Sequence, residues 1–131
     1  MAIEVMVLLP VVLFLVVLVV WTGRYTTSRA RLSDVAAAAA RAASLEADES
    51  AGRSAARRTV DAASLPEGCA DVTPAVAIAS PVGHPGSWRG ARVTVTIHCD
   101  VRNTSLAGVW APGQVQLRGR ATHPVDPFRE P

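Results

Sequence analysis

The chain has 131 residues, a formal net charge of +2 at pH 7 and a hydrophobic content of 50%. Once an apolar N-terminal run is set aside, roughly 110 residues remain, which is enough for one small domain and excludes two. A charge this small gives no electrostatic reason to expect a nucleic-acid partner.

An uninterrupted apolar run extends from Val5 to Trp21 and reads VMVLLPVVLFLVVLVVW. A helix rises about 1.5 Å per residue, so this run and the residues before it can cross a hydrocarbon core of about 30 Å. We therefore predict a transmembrane anchor over residues 1–22, with Trp21 and Tyr25 at the membrane interface. A cleaved signal peptide is disfavoured, because the run is too long and no basic n-region precedes it.

Two residues of the predicted anchor are unusual for a membrane helix. Glu4 places a carboxylate at the membrane edge, which is costly unless the group reaches water or finds a partner. It either lies in the headgroup layer without a role or pairs with a positive group, such as the N-terminus of a neighbouring copy. Pro10 removes one backbone donor and favours a kink, although membrane helices also tolerate proline without consequence.

The helical pattern continues beyond the anchor in an extramembrane helical region, residues 23–65. Small and apolar residues recur there at steps of three and four, namely Leu32, Val35, Ala36, Ala39 and Ala43. This predicts one continuous helix of about forty residues, whose alanine stripe packs on the domain's own sheet or against another helix. A short second helix is expected over 49–64, with Ala56, Val60 and Ala63 facing inward and Pro66 and Gly68 ending it.

From residue 66 to 131 the pattern indicates a small β-domain with an irregular tail from Pro124 to Pro131. The predicted strands are Val72–Ile78, Arg92–Val101 and Gln114–Thr122. Pro74 would make the first strand an edge or broken strand, and residues 80–90 and 103–113 are expected to be loops. The inward faces are predicted to carry Val93, Val95, Ile97, Cys99 and Val101, then Val115, Leu117 and Ala121. We predict an α+β fold, in which the long helix packs on a small antiparallel sheet of about three to four strands.

The two cysteines, Cys69 and Cys99, lie on the polar side of the anchor. An even pair in a small exported domain predicts one disulfide, worth about 3.5 kcal/mol as an upper estimate on the chain-entropy model. Two buried free thiols are the alternative. A zinc site is disfavoured, because no CxxC or HxxxH spacing is present.

The signals for membrane orientation conflict. Arg24, Arg29 and Arg31 follow the anchor and no basic residue precedes it, which alone would leave the C-terminal part in the cytoplasm. The cysteine pair and the turn-rich C-terminal half favour the outside. We expect the C-terminal domain to be extracytoplasmic.

The arrangement of polar residues in the sequence does not predict an enzyme, a metal site or a cofactor. His98 and Asp100 share a strand face, but no serine or cysteine nucleophile lies in a recognisable turn. Trp88 and Trp110 both lie in predicted loops, where they form a contact patch for a partner or cover a small core.

The N-terminal sequence MAIEVMVLLPVVLFLVVLVVWTGRY resembles the anchor of the TadE-like pseudopilins of tight-adherence (Flp) pilus systems, which are similar to type IV pilins. Glu4 stands in the place of that family's glutamate and Pro10 in the place of its proline. The helix DVAAAAARAASL, the short second helix and the cysteine-bearing strands also resemble GC-rich bacterial members. All 13 basic residues are arginine, whose codons are GC-rich like those of alanine, so we expect a high-GC bacterial genome.

The resemblance implies a non-enzymatic, single-pass component of pilus assembly in the cytoplasmic membrane. Its partners would be pilin-like or other pilus-assembly subunits that contact the N-terminal helix, with Glu4 neutralising the N-terminus of a neighbouring subunit. It also implies a leader cut by a prepilin peptidase. No basic segment and no glycine precede Met1, so either the true start lies upstream, or the sequence is that of the mature protein, or the protein is not processed. The other hypothesis is a membrane-tethered extracytoplasmic binding module, in which the loops with Trp88 and Trp110 hold a ligand.

Overall fold

The structure is a computed structural model that describes residues 2–66, 68–69 and 72–128. Its helices and strands follow in the order α1 (Ala2–Ser44), α2 (Glu49–Ala62), β1 (Ala75–Ala79), β2 (Arg92–Arg102), α3 (Asn103–Ala107) and β3 (Gln114–Pro124). The predicted α+β class is confirmed, with a long N-terminal helix packed on a three-stranded antiparallel sheet.

Helix α1 is continuous over 43 residues and passes through both Pro10 and Gly23. The stretch around Gly23 is rich in threonine, which is a weak helix former. The hydroxyls of Thr22, Thr26 and Thr27 donate to the carbonyls four residues earlier, at 2.8–2.9 Å. The hydroxyls are therefore satisfied within the helix, and the threonines are accommodated without ending it.

The sheet has the order β1-β2-β3, so β2 is the central strand and β1 lies at an edge. Ile97 of β2 pairs with Gly119 of β3, near the middle of the longer hairpin. Strand β1 begins at Ala75, so the predicted start at Val72 was wrong by three residues. Pro74 immediately precedes the strand, and proline has no backbone donor for a ladder.

One face of the sheet is covered by the second half of α1. The buried residues of that half are Leu32, Ala36, Ala39, Ala40, Ala43 and Ser44, and the buried residues of β2 are Val93, Val95, Ile97, Cys99 and Val101. The alanine stripe therefore packs on the domain's own sheet, which is one of the two arrangements expected from the sequence. Small side chains let the helix approach the sheet closely, and each large aliphatic side chain buried there contributes about 1.5–3 kcal/mol.

Helix α2 packs on α1 through one narrow face, which carries Gly52, Ala55, Ala56 and Val60. It ends at Ala62, two residues before the predicted end, and Ala63 is a half-buried extended C-cap rather than an inward-facing helical residue.

Two further predictions in the C-terminal half need correction. The stretch predicted as a loop over 103–113 begins with helix α3, and β3 continues to Pro124 rather than Thr122. The tail is held at its start, because buried Val125 donates its N–H to the carbonyl of Ala91 at 2.8 Å. The last three tail residues, 129–131, lie outside the described residues.

Candidate functional site

The first half of α1 lies outside the domain and is apolar on every side. Its large side chains are 38% (Val20) to 78% (Ile3) exposed, apart from half-buried Val17. An 18-residue window of this helix has a mean hydropathy of 3.2, and none of it is buried. A helix that is hydrophobic all round and has no protein cover fits a single-pass membrane anchor.

Glu4 lies in the first turn of α1. Glu4 is exposed, and it lines a shallow groove on the helix surface together with the apolar residues Ile3, Val7 and Leu8. Among the described residues Glu4 makes no ion pair, and Arg24 lies about 30 Å further along the helix. The described part of the chain therefore offers this carboxylate no cation.

Pro10 lies inside α1, six residues after Glu4. Because proline has no N–H, the carbonyl of Met6 lacks its usual intrahelical donor. The helix nevertheless continues through this position, as membrane helices with proline commonly do.

The end of the apolar run is joined to the domain through helix α3. The rings of Trp21 and Tyr25 stack with centroids 5.4 Å apart and an interplanar angle of 8°. Trp21 Nε1 donates to Asn103 Oδ1 at 3.3 Å, and Arg24 Nη1 donates to the carbonyl of Ser105 at 3.0 Å. These contacts place α3 at the level of the helix where the apolar run stops.

The predicted disulfide between Cys69 and Cys99 is present, with the two Cα atoms 5.2 Å apart. Both residues are buried, and the bond ties the segment before β1 to the central strand. The alternative of two free thiols is therefore excluded.

The two loop tryptophans occupy different environments. Trp88 is half-buried, donates from Nε1 to the carbonyl of Glu46 at 3.0 Å and packs over Gly52. Trp110 is 82% exposed and lies on the loop after α3. Helix α1 rises about 35 Å from Trp21, which contacts α3, to Ser44, two residues before Glu46, so the structure does not bring Trp88 and Trp110 together.

The histidines are also dispersed. His98 and Asp100 lie on the exposed face of β2, as the alternation predicts, and His84 is in an exposed turn. His123 Nδ1 lies 3.3 Å from the hydroxyl of Ser44. Within residues 2–66, 68–69 and 72–128, no group of three or more His, Cys, Asp or Glu is placed to hold a metal ion.

Helix α3 and its contact residue Asn103 were missed by sequence reasoning. The signal that marks the helix is Gly108, which follows its last residue in the left-handed conformation with φ of 75° and donates to the carbonyl of Thr104. Glycine in this conformation commonly terminates helices. A five-residue helix has too few residues to show an amphipathic period.

A family model described as TadE-like protein matches residues 1–41, which is nearly all of α1 and none of the sheet. No curated protein and no solved structure matches the chain.

Proposed function

We propose that this chain, whose anchor helix matches the TadE-like family, is a pseudopilin-like component of tight-adherence (Flp) pilus assembly or of related secretion machinery. The match suggests involvement in such assembly, and proteins of that family are generally non-enzymatic. The observation that carries the proposal is the uncovered apolar half of α1 with a single carboxylate, Glu4, in its first turn.

The role proposed for Glu4 follows from the cost of an isolated charge. A carboxylate among apolar side chains in a membrane requires a positive partner or access to water. In an assembly of parallel copies, the N-terminal amine of a neighbouring subunit supplies that partner. The pair would align adjacent α1 helices in register along the membrane normal, and the absent donor at Pro10 would leave a carbonyl for contacts between helices.

The proposed location is the cytoplasmic membrane, with one span and the disulfide-bearing domain on the extracytoplasmic side. The disulfide supports this side, because such bonds persist in oxidising compartments. Arg24, Arg29 and Arg31 oppose it in a simple charge count. A basic leader upstream of Met1, removed by a prepilin peptidase, would offset these arginines and create the new N-terminal amine.

Exposed Trp110 favours one other function, a membrane-tethered extracytoplasmic binding module with a ligand on its loops. In that function the anchor is only a tether, and the charge of Glu4 has no role. The two proposals therefore differ in what a substitution at Glu4 does.

The test compares Glu4→Gln, Glu4→Ala and Glu4→Asp, produced from the native locus, with Asp34→Asn as the matched control. Asp34 is an exposed carboxylate on the extramembrane part of the same helix. We expect all variants to reach the membrane. Glu4→Gln and Glu4→Ala should abolish cross-linking to other subunits and surface pili, Glu4→Asp should retain part of both, and Asp34→Asn should match the wild type.

Normal piliation in Glu4→Gln would overturn the assembly role and leave the tethered module. The N-terminus of the protein extracted from its native membrane provides an independent measurement by mass spectrometry. A trimmed N-terminus a few residues before Glu4 supports prepilin processing, whereas an intact or formylated Met1 contradicts it.

A further inference from the structure

We propose that the loop between α3 and β3, residues 108–113, inserts Trp110 into the lipid headgroup layer of the membrane that α1 spans. The domain would then be held against the bilayer at a second point beside its anchor helix. This inference rests on the anchor part of the proposed function and is independent of pilus assembly.

The loop closes the end of the β2–β3 hairpin that faces the apolar half of α1. At the far end of the hairpin, His123 of β3 contacts Ser44 near the end of α1. In its middle, Gly119 lies against Leu32. At the near end, Asn103 follows β2 directly and contacts Trp21. Strand β2 therefore runs toward the membrane end of α1, and the following loop is the tip of the domain on that side.

The tip is tied to residues that contact the anchor. Asn103 donates its N–H to the carbonyl of Gly113 at 3.1 Å and its side-chain amide to the carbonyl of Pro112 at 2.9 Å. The hydroxyl of Thr104 donates to the carbonyl of Ala111 at 2.9 Å. Because Asn103 also accepts the hydrogen bond of Trp21, both ends of the loop lie where the apolar run stops.

The exposed side chains of this tip have the chemistry of a membrane interface. Trp110 is 82% exposed and its neighbour Val109 is 51% exposed, so the domain itself leaves both apolar side chains uncovered. Tryptophan is enriched at the headgroup level, because its ring is apolar and its N–H still finds a polar partner.

The charged residues around the tip are basic, which favours binding to the phosphates of a lipid surface. No acidic residue occurs between Glu4 and Asp34 or between Asp100 and Asp126 in the sequence. Exposed Arg24 and Arg102 flank the tip and can bind lipid phosphates, with about 1 kcal/mol for each arginine near an anionic surface. The headgroup layer at the level of Trp21 also belongs to the same bilayer that α1 would span, so the tip needs no second membrane or partner.

The test uses three full-length variants with a single tryptophan each, reconstituted in vesicles of phosphatidylcholine and phosphatidylglycerol that carry brominated acyl chains. Trp21→Phe with Trp88→Phe leaves Trp110 as the reporter. Trp88→Phe with Trp110→Phe leaves Trp21, which reports the anchor, and Trp21→Phe with Trp110→Phe leaves Trp88 at the distal end. We expect bromine to quench Trp21 and Trp110 strongly and Trp88 very little, with blue-shifted emission from Trp110.

Quenching of Trp110 no greater than that of Trp88, with Trp21 quenched, would overturn the inserted tip and leave the anchor intact. Loss of quenching at both Trp21 and Trp110 would overturn the anchor and the inserted tip together. Blue-shifted but unquenched Trp110 would mean a protein contact and also overturns the proposal. Trp21→Phe removes the hydrogen bond to Asn103 and could disturb the tip. The wild type is therefore also compared with Trp110→Phe, which keeps Trp21. Brominated lipid should quench a larger share of the emission in the wild type than in Trp110→Phe.

Discussion

Gly119 of β3 lies directly against the backbone carbonyl of Leu32 in α1, at the centre of the helix–sheet contact. A Cβ placed on Gly119 would lie 2.8 Å from the Leu32 Cβ and still closer to the carbonyl carbon. Backbone cannot move aside as the end of a long side chain can, so Gly119→Ala should force helix and sheet apart. We expect a loss of about 1–3 kcal/mol in the free energy of unfolding, measured by urea titration of the full chain in detergent micelles.

Gly23→Ala is the matched control for this substitution. Gly23 lies in α1, and a Cβ there meets no atom within 4 Å. Alanine favours a helix over glycine by up to about 1 kcal/mol, so this variant should be as stable as the wild type or more stable. Equal stability of Gly119→Ala and the wild type would contradict the close contact at Leu32.

Most of the fold could be predicted from the sequence, because the hydrophobic pattern and the intrinsic propensities of the residues indicate the same elements. The alanine-rich repeat around Ala36 and Ala39 predicts both the helix and its buried face, and the alternation in β2 predicts that strand within one residue. Gly119 could not be interpreted in the same way. In the sequence it is only a weak strand residue, and its role arises from a close approach between segments far apart in the chain.

In the candidate site, too, the sequence predicted the features that depend on local composition and missed the contact that depends on the fold. Glu4, Pro10 and the apolar run are visible in the sequence because a membrane span is a local property of composition. The contact between Trp21 and Asn103 could not be predicted, since it depends on the strand register that brings the end of β2 beside the anchor. Among the described residues no ion pair forms at Glu4, so neither pattern nor fold identifies a partner for it.

Trp88 should be important for stability, and Trp110 should not. Trp88→Ala removes the hydrogen bond to the Glu46 carbonyl and the packing over Gly52, and we expect a loss of about 2 kcal/mol in the free energy of unfolding. Trp110→Ala removes a side chain that is 82% exposed and should change this free energy by no more than about 0.5 kcal/mol in detergent. Urea titrations followed by circular dichroism measure both. Equal losses would contradict the separate environments of the two rings.

Removing the disulfide should destabilise the domain without changing its fold. The cysteines are 30 residues apart in sequence, so the cross-link should contribute about 3.5 kcal/mol by restricting the unfolded chain. We expect the Cys69→Ser, Cys99→Ser double variant to lose up to this amount in urea titrations. Mass spectrometry after alkylation without reductant should find no modified thiol in the native wild type, and two alkylated cysteines there would refute the bond.

The first turn of α2 should become less stable in acid, because Asp48 caps it with an ionised carboxylate. The hydroxyl of Ser50 and the N–H of Ala51 both donate to this carboxylate and hold the pKa of Asp48 below its ordinary value of 3.8. A lowered folded-state pKa stabilises the fold above the unfolded pKa, and this stabilisation is lost as the pH falls through the folded value. Exchange protection of the Ala51 amide should therefore decrease in acid, below about pH 4.

Asp48→Asn is the control for that titration, because asparagine keeps the capping oxygen and cannot ionise. Its Ala51 protection should remain constant between neutral pH and pH 2, apart from changes shared with the rest of the domain. A decrease in acid as large as that of the wild type would mean that another group causes it.

The orientation of the domain should be extracytoplasmic despite the arginines that follow the anchor. Alkaline phosphatase fused after the last residue, at the native locus, should be active, because that enzyme folds only where disulfides form. Green fluorescent protein at the same position should be dark after export in the unfolded state. In the matched variant Arg24, Arg29 and Arg31 are replaced by Ser, which removes the charge that opposes export and should leave phosphatase activity equal or higher. A fluorescent fusion with inactive phosphatase would place the domain in the cytoplasm, where Cys69 and Cys99 would be kept reduced.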